Sequence, residues 1–255
     1  MTDIIKEVEN GVLRIGFNRP ERKNAITAQM YRDLGSVLTA AQTDASIRVV
    51  VLHGSETVFT SGNDIKDFAN REGQSKENPS EDFMRSVLSL GKPLIAAVNG
   101  HAVGIGATML LHCDLVYAGE SASLQFPFVK LGLCPEFGSS LLLPSIVGWQ
   151  RAAELFLLGV PCSAARAETF GLVNQVLAPE DVLPHALSVA STLASLPPGA
   201  LRVTKSLMRQ GQAAATEQRL DQEFSAFRER LRSPEAKEAF AAFLEKRSPD
   251  FSAFS

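Results

Sequence analysis

The most informative segment of the sequence is Lys92-Pro-Leu-Ile-Ala-Ala-Val-Asn-Gly-His-Ala-Val-Gly-Ile-Gly106. Its first half is a short apolar run bounded by turn residues, which predicts a buried strand. Three glycines follow, and they let the chain turn tightly into a helix predicted from Ala107 to His112. Backbone N–H groups at such a junction lack partners and attract negative charge. A tight turn without a ligand explains the glycines equally well, and Met109 breaks the spacing of a dinucleotide fingerprint.

Other short runs on both sides of this segment have the same character. The predicted strands are Ile4 to Val8, Val12 to Phe17, Arg48 to His53, Pro93 to Val98 and Asp114 to Ala118. The first two alternate apolar and polar residues around Asn10-Gly11, which predicts a hairpin. The runs Arg48 to His53 and Pro93 to Val98 each lead through a glycine-bearing loop into a helical stretch. We therefore predict an α/β fold of repeated ββα or βαβ units, with the functional loops at one edge of a buried sheet.

Helical periodicity accounts for most of the remaining chain. The predicted helices run from a Thr27 cap to Thr43, and over Phe83 to Leu90, Ala152 to Leu158, Ala164 to Phe170, Val182 to Ser195, Ala200 to Arg209, Thr216 to Leu231 and Pro234 to Lys246. We divide the chain into an α/β core, residues 1–195, and a C-terminal helical region, residues 196–255, involved in oligomerisation. The polar segment from Asn70 to Glu81 is predicted to be an exposed loop, either a linker or a lid over a substrate.

Composition restricts the class of protein. The 255 residues are 45% hydrophobic and 21% charged with a formal net charge of -3, which favours a globular chain and argues against a nucleic-acid binder. No apolar run is long enough to span a membrane, and the N-terminus lacks the features of a signal peptide, so we expect a cytoplasmic protein. The cysteines and histidines show no ligand spacing, and we expect neither a disulfide framework nor a metal site.

An ordered series of motifs covers nearly the whole chain. It comprises Asn18-Arg-Pro-Glu-Arg-Lys-Asn-Ala-Ile26, Phe59-Thr-Ser-Gly-Asn-Asp-Ile-Lys66, the segment quoted above with Cys113-Asp114, Gly171-Leu-Val-Asn174, Pro198 to Lys205 and Ala242-Phe-Leu-Glu-Lys-Arg247. In order and spacing this series resembles the crotonase superfamily of enoyl-CoA hydratases and isomerases. The resemblance implies a spiral of repeated ββα units, an acyl-CoA substrate without a separate cofactor, and a homotrimer or a dimer of trimers. It also implies that the N–H groups of Asn63 and Ile105 form an oxyanion hole for the thioester oxygen.

Two positions of the family pattern indicate which reaction to expect. Hydratases of this group carry one glutamate on the helix after the glycine loop and another in the following Pro-Glu element, where this chain has Thr108 and Phe128. A carboxylate appears instead at Glu136, within Leu131-Gly-Leu-Cys-Pro-Glu-Phe-Gly-Ser-Ser140. Together with Ser61-Gly-Asn-Asp64, this element resembles the Δ3,Δ2-enoyl-CoA isomerase branch, which implies that Glu136 is the catalytic base. Taken alone, Glu136 would more simply be a solvated or helix-capping glutamate.

The resemblance also implies a coenzyme A site. The residues expected to contact coenzyme A are Lys23, Ser61, Asp64, Ile65, Phe243 and Lys246, the last two on a final helix supplied by a neighbouring subunit. As charges alone, the two lysines would be solvated surface residues. Two other hypotheses remain open. One is a different crotonase reaction on an acyl-CoA, such as hydration or thioester hydrolysis, and the other is a non-catalytic acyl-CoA-binding protein.

Overall fold

The strands form two sheets in the computed structural model, which describes residues 2–65 and 78–254. In chain order they are β1 (Ile4–Glu9), β2 (Val12–Phe17), β3 (Val49–His53), β4 (Val58–Thr60), β5 (Leu94–Val98), β6 (His101–Val103), β7 (Leu115–Gly119), β8 (Ser123–Gln125), β9 (Cys162–Ser163) and β10 (Gln175–Leu177). The larger sheet has the order β1-β2-β3-β5-β7-β10, and the smaller one has the order β4-β6-β8-β9. The hairpin β1–β2 and the pair β8–β9 are antiparallel, and the other pairs are parallel.

Each repeated unit contributes one strand to each sheet. Strands β3, β5 and β7 are neighbours in the larger sheet, and the strands that follow them directly, β4, β6 and β8, are neighbours in the smaller sheet. Parallel neighbours need a crossover connection, so the chain winds through both sheets as a spiral. The predicted α/β architecture, a crotonase-like spiral of ββα units with a C-terminal helical region, is confirmed.

Helices occupy the crossovers and the C-terminal region. Within the described residues they are α1 (Ala28–Thr43), α2 (Pro79–Ser89), α3 (Ile105–Thr108), α4 (Ser139–Val147), α5 (Trp149–Leu157), α6 (Ala164–Thr169), α7 (Val182–Ser195), α8 (Pro198–Leu231) and α9 (Pro234–Glu245). The predicted cap of α1 is present, because Thr27 Oγ1 accepts a hydrogen bond from the Met30 N–H at 3.3 Å. None of the described helices is long and apolar enough to cross a membrane.

The larger sheet is buried on both faces because successive side chains of a strand point in opposite directions. In β3, Val50 and Leu52 belong to the main core, whereas Val49 and Val51 belong to a second cluster beneath α7. Helix α7 faces this cluster through Val182 and through alanines one and two turns later. Small side chains at helical spacing let the helix lie close to the sheet, which keeps the strands and their terminal loops in a fixed frame.

Helix α8 corrects the prediction of two helices, Ala200 to Arg209 and Thr216 to Leu231. It runs without interruption from Pro198 to Leu231. Gly211 lies in its interior and costs about 1 kcal/mol relative to alanine, but the three alanines at 213–215 favour the helical state. The division of the chain after residue 195 stays a prediction.

Other helices also differ from those predicted. Helix α2 begins at Pro79, inside the segment predicted as a loop, because proline is favourable at the first helical position and two acidic residues follow in the first turn. Residues 70–77 of that segment, and with them most of the predicted lid, lie outside the described residues. The helix expected from Ala107 begins at Ile105 and tightens into a 3-10 turn from Met109. Helix α4 was not predicted, since Pro144 lies within it.

Candidate active site

Two glycine-bearing loops, one carrying Asn63 after β4 and one carrying Ile105 after β6, meet because β4 and β6 are parallel neighbours. Thr60 pairs with Ala102, and Asn63 and Ile105 each lie three residues further along the chain. Both loops therefore leave the sheet at the same edge. A Cβ atom added at Gly62 would lie 2.7 Å from the backbone of the other loop, and Gly62 has a φ of 87°. Only glycine suits this close approach, which brings the two loops into contact.

The N–H group of Asn63 points away from the segment that pairs with its loop. Ile26 donates its N–H to the Gly62 carbonyl at 2.8 Å and accepts from the Asp64 N–H at 3.0 Å. Asn63 lies between Gly62 and Asp64, and in a parallel ladder the residue between two bonded residues directs its own N–H to the opposite side. No hydrogen-bond acceptor for the Asn63 N–H is found in residues 2–65 and 78–254. The side chain is anchored, because the buried Tyr31 Oη donates to Asn63 Oδ1 at 2.7 Å.

The N–H group of Ile105 is the first one of helix α3. The preceding Gly104 has a φ of 56°, and its carbonyl accepts from the N–H groups of Ala107 and Thr108 at 2.9 Å each. The first N–H groups of a helix have no acceptor within the helix. The described part of the chain offers no other acceptor to the Ile105 N–H. Two donors for which the described residues offer no acceptor therefore stand at one sheet edge, where they can stabilise a negatively charged oxygen.

Glu136 is buried against the same helical turn. Glu136 is only 4% exposed, and its Oε1 accepts a hydrogen bond from Thr108 Oγ1 at 2.6 Å. Thr108 is three residues after Ile105, so the carboxyl group lies beside the turn that carries the second donor. Burial raises the pKa of Glu136 to about 8; the Thr108 hydrogen bond opposes this shift, and the charge of Glu223 adds to it. The carboxyl group can therefore exchange a proton near neutral pH.

Apolar residues close to Glu136 in sequence are buried in the main core. Phe126, Phe128, Leu133 and Phe137 are all buried and belong to the same hydrophobic cluster. A low-dielectric environment disfavours the ionised carboxylate, which is the physical cause of the raised pKa.

The early loop that carries Lys23 is tied to the loop that carries Asn63. The Lys23 carbonyl accepts from the Ser61 N–H at 3.0 Å, and the Lys23 side chain is exposed. The Asp64 carboxylate accepts from Arg19 Nη1 at 2.7 Å, so it is already paired with a cation. Ile65 is half-buried at the last position before the residues that are not described. Four of the expected coenzyme A contacts are thus brought together.

The other two expected coenzyme A contacts lie at the end of α9. Phe243 is 57% exposed, and Lys246 is an exposed residue in the left-handed conformation at the end of that helix. Within the described residues, no hydrogen bond, ion pair or ring contact joins them to the loops around Asn63 and Ile105. Among residues 2–65 and 78–254, no such contact therefore links them with the rest of the expected site.

A family model described as enoyl-CoA hydratase/isomerase matches residues 7–253. The chain belongs to this family. A 2,3-dehydroadipyl-CoA hydratase of Escherichia coli strain K12 is 36% identical over 252 residues, which are 98% of this chain and 99% of that protein. Enoyl-CoA delta isomerase 2 of Rattus norvegicus is 34% identical over 250 residues, which are 96% of this chain and 64% of that relative.

Solved structures of the enoyl-CoA hydratase/isomerase family have the same fold. An enoyl-CoA hydratase/isomerase from Pseudoalteromonas atlantica T6c is 39% identical, with a TM-score of 0.95 over 98% of this chain and 100% of that one. OdaA of Pseudomonas aeruginosa is 44% identical, with a TM-score of 0.93 over 96% of this chain and 99% of that one. The molecule is therefore a crotonase-family enzyme that processes acyl-CoA.

The two positions that carry glutamates in the family's hydratases have other roles in this chain. Thr108 is fully buried, and its hydroxyl group donates a hydrogen bond to Glu136. Phe128 is 5% exposed and packs against the Phe156 ring at a centroid distance of 6.4 Å. Neither residue supplies a carboxylate at the site.

The sequence did not identify two residues that hold the site together. Tyr31 lies on the apolar face of α1 and resembles a core residue, although a buried tyrosine hydroxyl needs a hydrogen-bond partner. Glu223 lies between Leu220 and Phe224 on the buried face of α8. A carboxylate on an apolar stripe was the available signal, because buried carboxylates require donors.

Proposed function

We propose that this enzyme is a Δ3,Δ2-enoyl-CoA isomerase in which Glu136 moves the proton. The observation that carries the proposal is the buried carboxyl group of Glu136, held by Thr108 on the helical turn that begins with the Ile105 N–H. A carboxyl group next to unused backbone donors suits removal of a proton from the carbon beside a thioester. An acyl-CoA-binding protein without catalysis would have no use for this arrangement.

The reaction follows from the acidity of C2 in a 3-enoyl-CoA, which lies between the thioester and the double bond. Glu136 takes the C2 proton, the C–H electron pair forms a C1–C2 double bond, and the carbonyl π pair moves onto the thioester oxygen while the C3–C4 double bond stays in place. When the proton returns, the oxygen pair restores the carbonyl, the C1–C2 pair forms the C2–C3 double bond, and the C3–C4 pair forms the new C–H bond at C4. The charge of the intermediate dienolate rests on the thioester oxygen, where the N–H groups of Asn63 and Ile105 stabilise it by about 3 kcal/mol per donor. Glu136 then delivers the proton to C4, which gives the 2-trans-enoyl-CoA.

Coenzyme A is the part of the substrate that Lys23, Ser61, Asp64 and Ile65 are proposed to hold. The hydrogen bond between the Ser61 N–H and the Lys23 carbonyl supports this, because it places an exposed cation beside the loop of the oxyanion hole. Phosphate groups of coenzyme A favour such a cation. Phe243 and Lys246 are proposed to contact coenzyme A bound to a neighbouring subunit, because both are exposed and the described residues show no contact between them and the site of their own chain.

A homotrimer, or a dimer of trimers, is the assembly that we expect. Large apolar side chains are exposed on the surface of α5, at the residue after it and on α8: Trp149, Leu157, Leu158, Leu207 and Met208 are each more than half exposed. Large exposed apolar side chains of this kind support an interface between subunits. Light scattering at micromolar concentration should give about three or six times the mass of one chain, and a monomer would contradict the prediction.

The rate should depend on pH through the ionisation of Glu136. A base must be ionised before it can accept a proton, and the pKa of Glu136 is raised to about 8. The value of kcat/KM should therefore rise with pH through about 8 and reach a plateau above it. Initial rates with 3-hexenoyl-CoA from about pH 6 to about pH 10 check this expectation. A rate that falls as pH rises through 8 would show that another group is the base.

The direct test is incubation of the enzyme with 3-hexenoyl-CoA. Isomerisation produces a conjugated thioester, which absorbs in the ultraviolet, whereas hydration produces a hydroxyacyl-CoA and thioester hydrolysis releases a free thiol. Hydration is the second candidate, because a relative 36% identical to this chain is named as a hydratase. Binding without any of the three products would indicate a non-catalytic acyl-CoA-binding protein and would refute the proposal.

A further inference from the structure

The chain that follows Glu136 adopts an unfavourable backbone conformation. Phe137 has a φ of 63° and Gly138 has a φ of 69°, so two successive residues are left-handed. A side chain with a Cβ atom rarely adopts this conformation, and the surrounding structure must hold it there. Since Glu136 directly precedes this turn, the direction of its side chain depends on what holds Phe137 and Gly138.

One side of the turn is held by His112. Its ring stacks on the Phe137 ring at a centroid distance of 4.0 Å, and its Nε2 lies 2.7 Å from the Phe137 carbonyl oxygen. Burial lowers the pKa of His112 to about 4, so the ring is neutral at physiological pH. Because a carbonyl can only accept, the hydrogen of the neutral ring is on Nε2.

The other side of the turn is held by the carboxylate of Glu223 on α8. Its Oε2 accepts from the Gly138 N–H at 2.5 Å, and its Oε1 accepts from the Ser140 N–H at 2.9 Å. Helix α4 begins at Ser139, and its N-cap position is Gly138, which has no side chain to accept these hydrogen bonds. Glu223 therefore caps α4 from a different helix, 85 residues away from Gly138 in sequence.

A carboxylate fits this position better than an amide or a hydroxyl group. Two N–H donors converge on Glu223, and only a carboxylate presents two acceptor oxygens in the required plane. Burial raises the pKa of Glu223, while the hydrogen bonds from Ser140 and Gly138 and the charge of Arg219 favour its ionised form. Arg219 also donates to Ser140 Oγ at 3.2 Å, which strengthens the same junction.

We infer that Glu223 is a positioning residue, whose carboxylate fixes the Phe137–Gly138 turn and thereby holds Glu136 against Thr108. This inference rests on the proposed role of Glu136 as the base. Glu223 does not contact the reacting atoms in this account, and it acts through Glu136.

The charge of Glu223 has a second measurable effect, on the pKa of Glu136, which a residue with a purely structural role would not have. It opposes ionisation of Glu136 and adds to the effect of burial on the Glu136 pKa. Among the described residues, the titratable and charged groups near Glu136 and its turn include Cys134, whose pKa is raised to about 11, the neutral His112, and Arg219 and Glu223 on α8. Arg230 lies near Cys134, and Arg209 and Lys205 lie near His112. Removal of the Glu223 charge should therefore lower the pH at which Glu136 ionises.

The experiment compares Glu223→Gln with Glu217→Gln, a control at an exposed position of the same helix. Infrared difference spectra follow the carboxyl band of Glu136, which is identified by its loss in Glu136→Gln. In Glu223→Gln the midpoint of this band should fall by about half to one pH unit. Above both midpoints, kcat with 3-hexenoyl-CoA should fall roughly tenfold with KM within about twofold. The control should change neither quantity.

The outcomes separate this inference from the proposed function. A Glu136 midpoint and a kcat both unchanged in folded Glu223→Gln would overturn the role of Glu223. If Glu223→Gln does not fold, Glu223→Asp carries the test: it keeps the charge, so the midpoint should stay, but the shorter side chain cannot reach both N–H donors and kcat should fall. A wild-type kcat in Glu223→Asp would then overturn the inference. Because the infrared midpoint needs no turnover, a shifted midpoint in an enzyme without isomerase activity would refute only the proposed function.

Discussion

Replacement of Glu136 by glutamine is expected to lower the isomerisation rate by about 1,000-fold or more. The amide keeps the size of the side chain and can still accept the hydrogen bond from Thr108 Oγ1, but it cannot accept a proton from C2. The two backbone donors are untouched, so the affinity for acyl-CoA should change little. The loss should therefore appear in kcat, with the dissociation constant of the substrate nearly unchanged.

The measurement combines turnover of 3-hexenoyl-CoA, calorimetric binding of a saturated acyl-CoA and thermal unfolding. The exposed Glu217→Gln serves as the matched control, since it makes the same chemical change away from the site. For the parent enzyme in deuterated water, part of the substrate's C2 hydrogen should appear at C4, provided that return is faster than exchange from Glu136. Near-normal turnover in a folded Glu136→Gln would disprove the assignment. Asp64, the other carboxylate of the matched loops, would then be the next residue to change.

Isomerisation should exceed hydration by about 100-fold to 10,000-fold, which is the usual cost of losing a positioned acid or base. Water addition needs a carboxylate that orients and deprotonates the water molecule, and the positions that supply it in the family's hydratases hold Thr108 and Phe128. Thr108 is occupied with Glu136, and Phe128 is packed against Phe156. Neither position can activate water.

The selectivity is measured with two substrates under the same conditions. 3-Hexenoyl-CoA reports isomerisation, and 2-hexenoyl-CoA reports hydration through the formation of hydroxyacyl-CoA. Glu136→Gln provides the control for hydration, because any residual hydration that depends on Glu136 should disappear with it. Comparable rates of the two reactions in the parent enzyme would contradict the prediction and favour the hydratase candidate.

Local signals were sufficient for the elements that depend on near neighbours. The β1–β2 hairpin follows from Asn10-Gly11, and the start of α1 follows from Thr27, since both are decided within a few residues. The prediction of two helices in place of the uninterrupted α8 was wrong: Gly211 disfavours a helix locally, but its neighbours favour one. Short strands such as β4 and β6 carry too few residues to show a period of two.

Contacts between distant residues could not be derived in the same way. The resemblance directed attention to Glu136, but its hydrogen bond with Thr108 joins residues 28 positions apart. The contacts of Glu223 with the α4 terminus span more than 80 positions. Such pairs are set by how α8 packs on the core, and no local pattern encodes that arrangement. The expected roles of the site residues therefore stay predictions for the experiments above.

The pairing of β4 with β6 fixes the position of the two loops of the proposed site, whereas the proposed catalytic carboxylate is supplied separately. Neighbouring strands stand about 4.8 Å apart, so the pairing of Thr60 with Ala102 brings the loops that carry Asn63 and Ile105 side by side, whatever the length of the connections between turns of the spiral. Glu136 enters from a later loop, outside that pairing. On the proposed mechanism, a protein with this scaffold changes its reaction by relocating a single carboxylate, while the proposed oxyanion hole for the thioester oxygen is preserved.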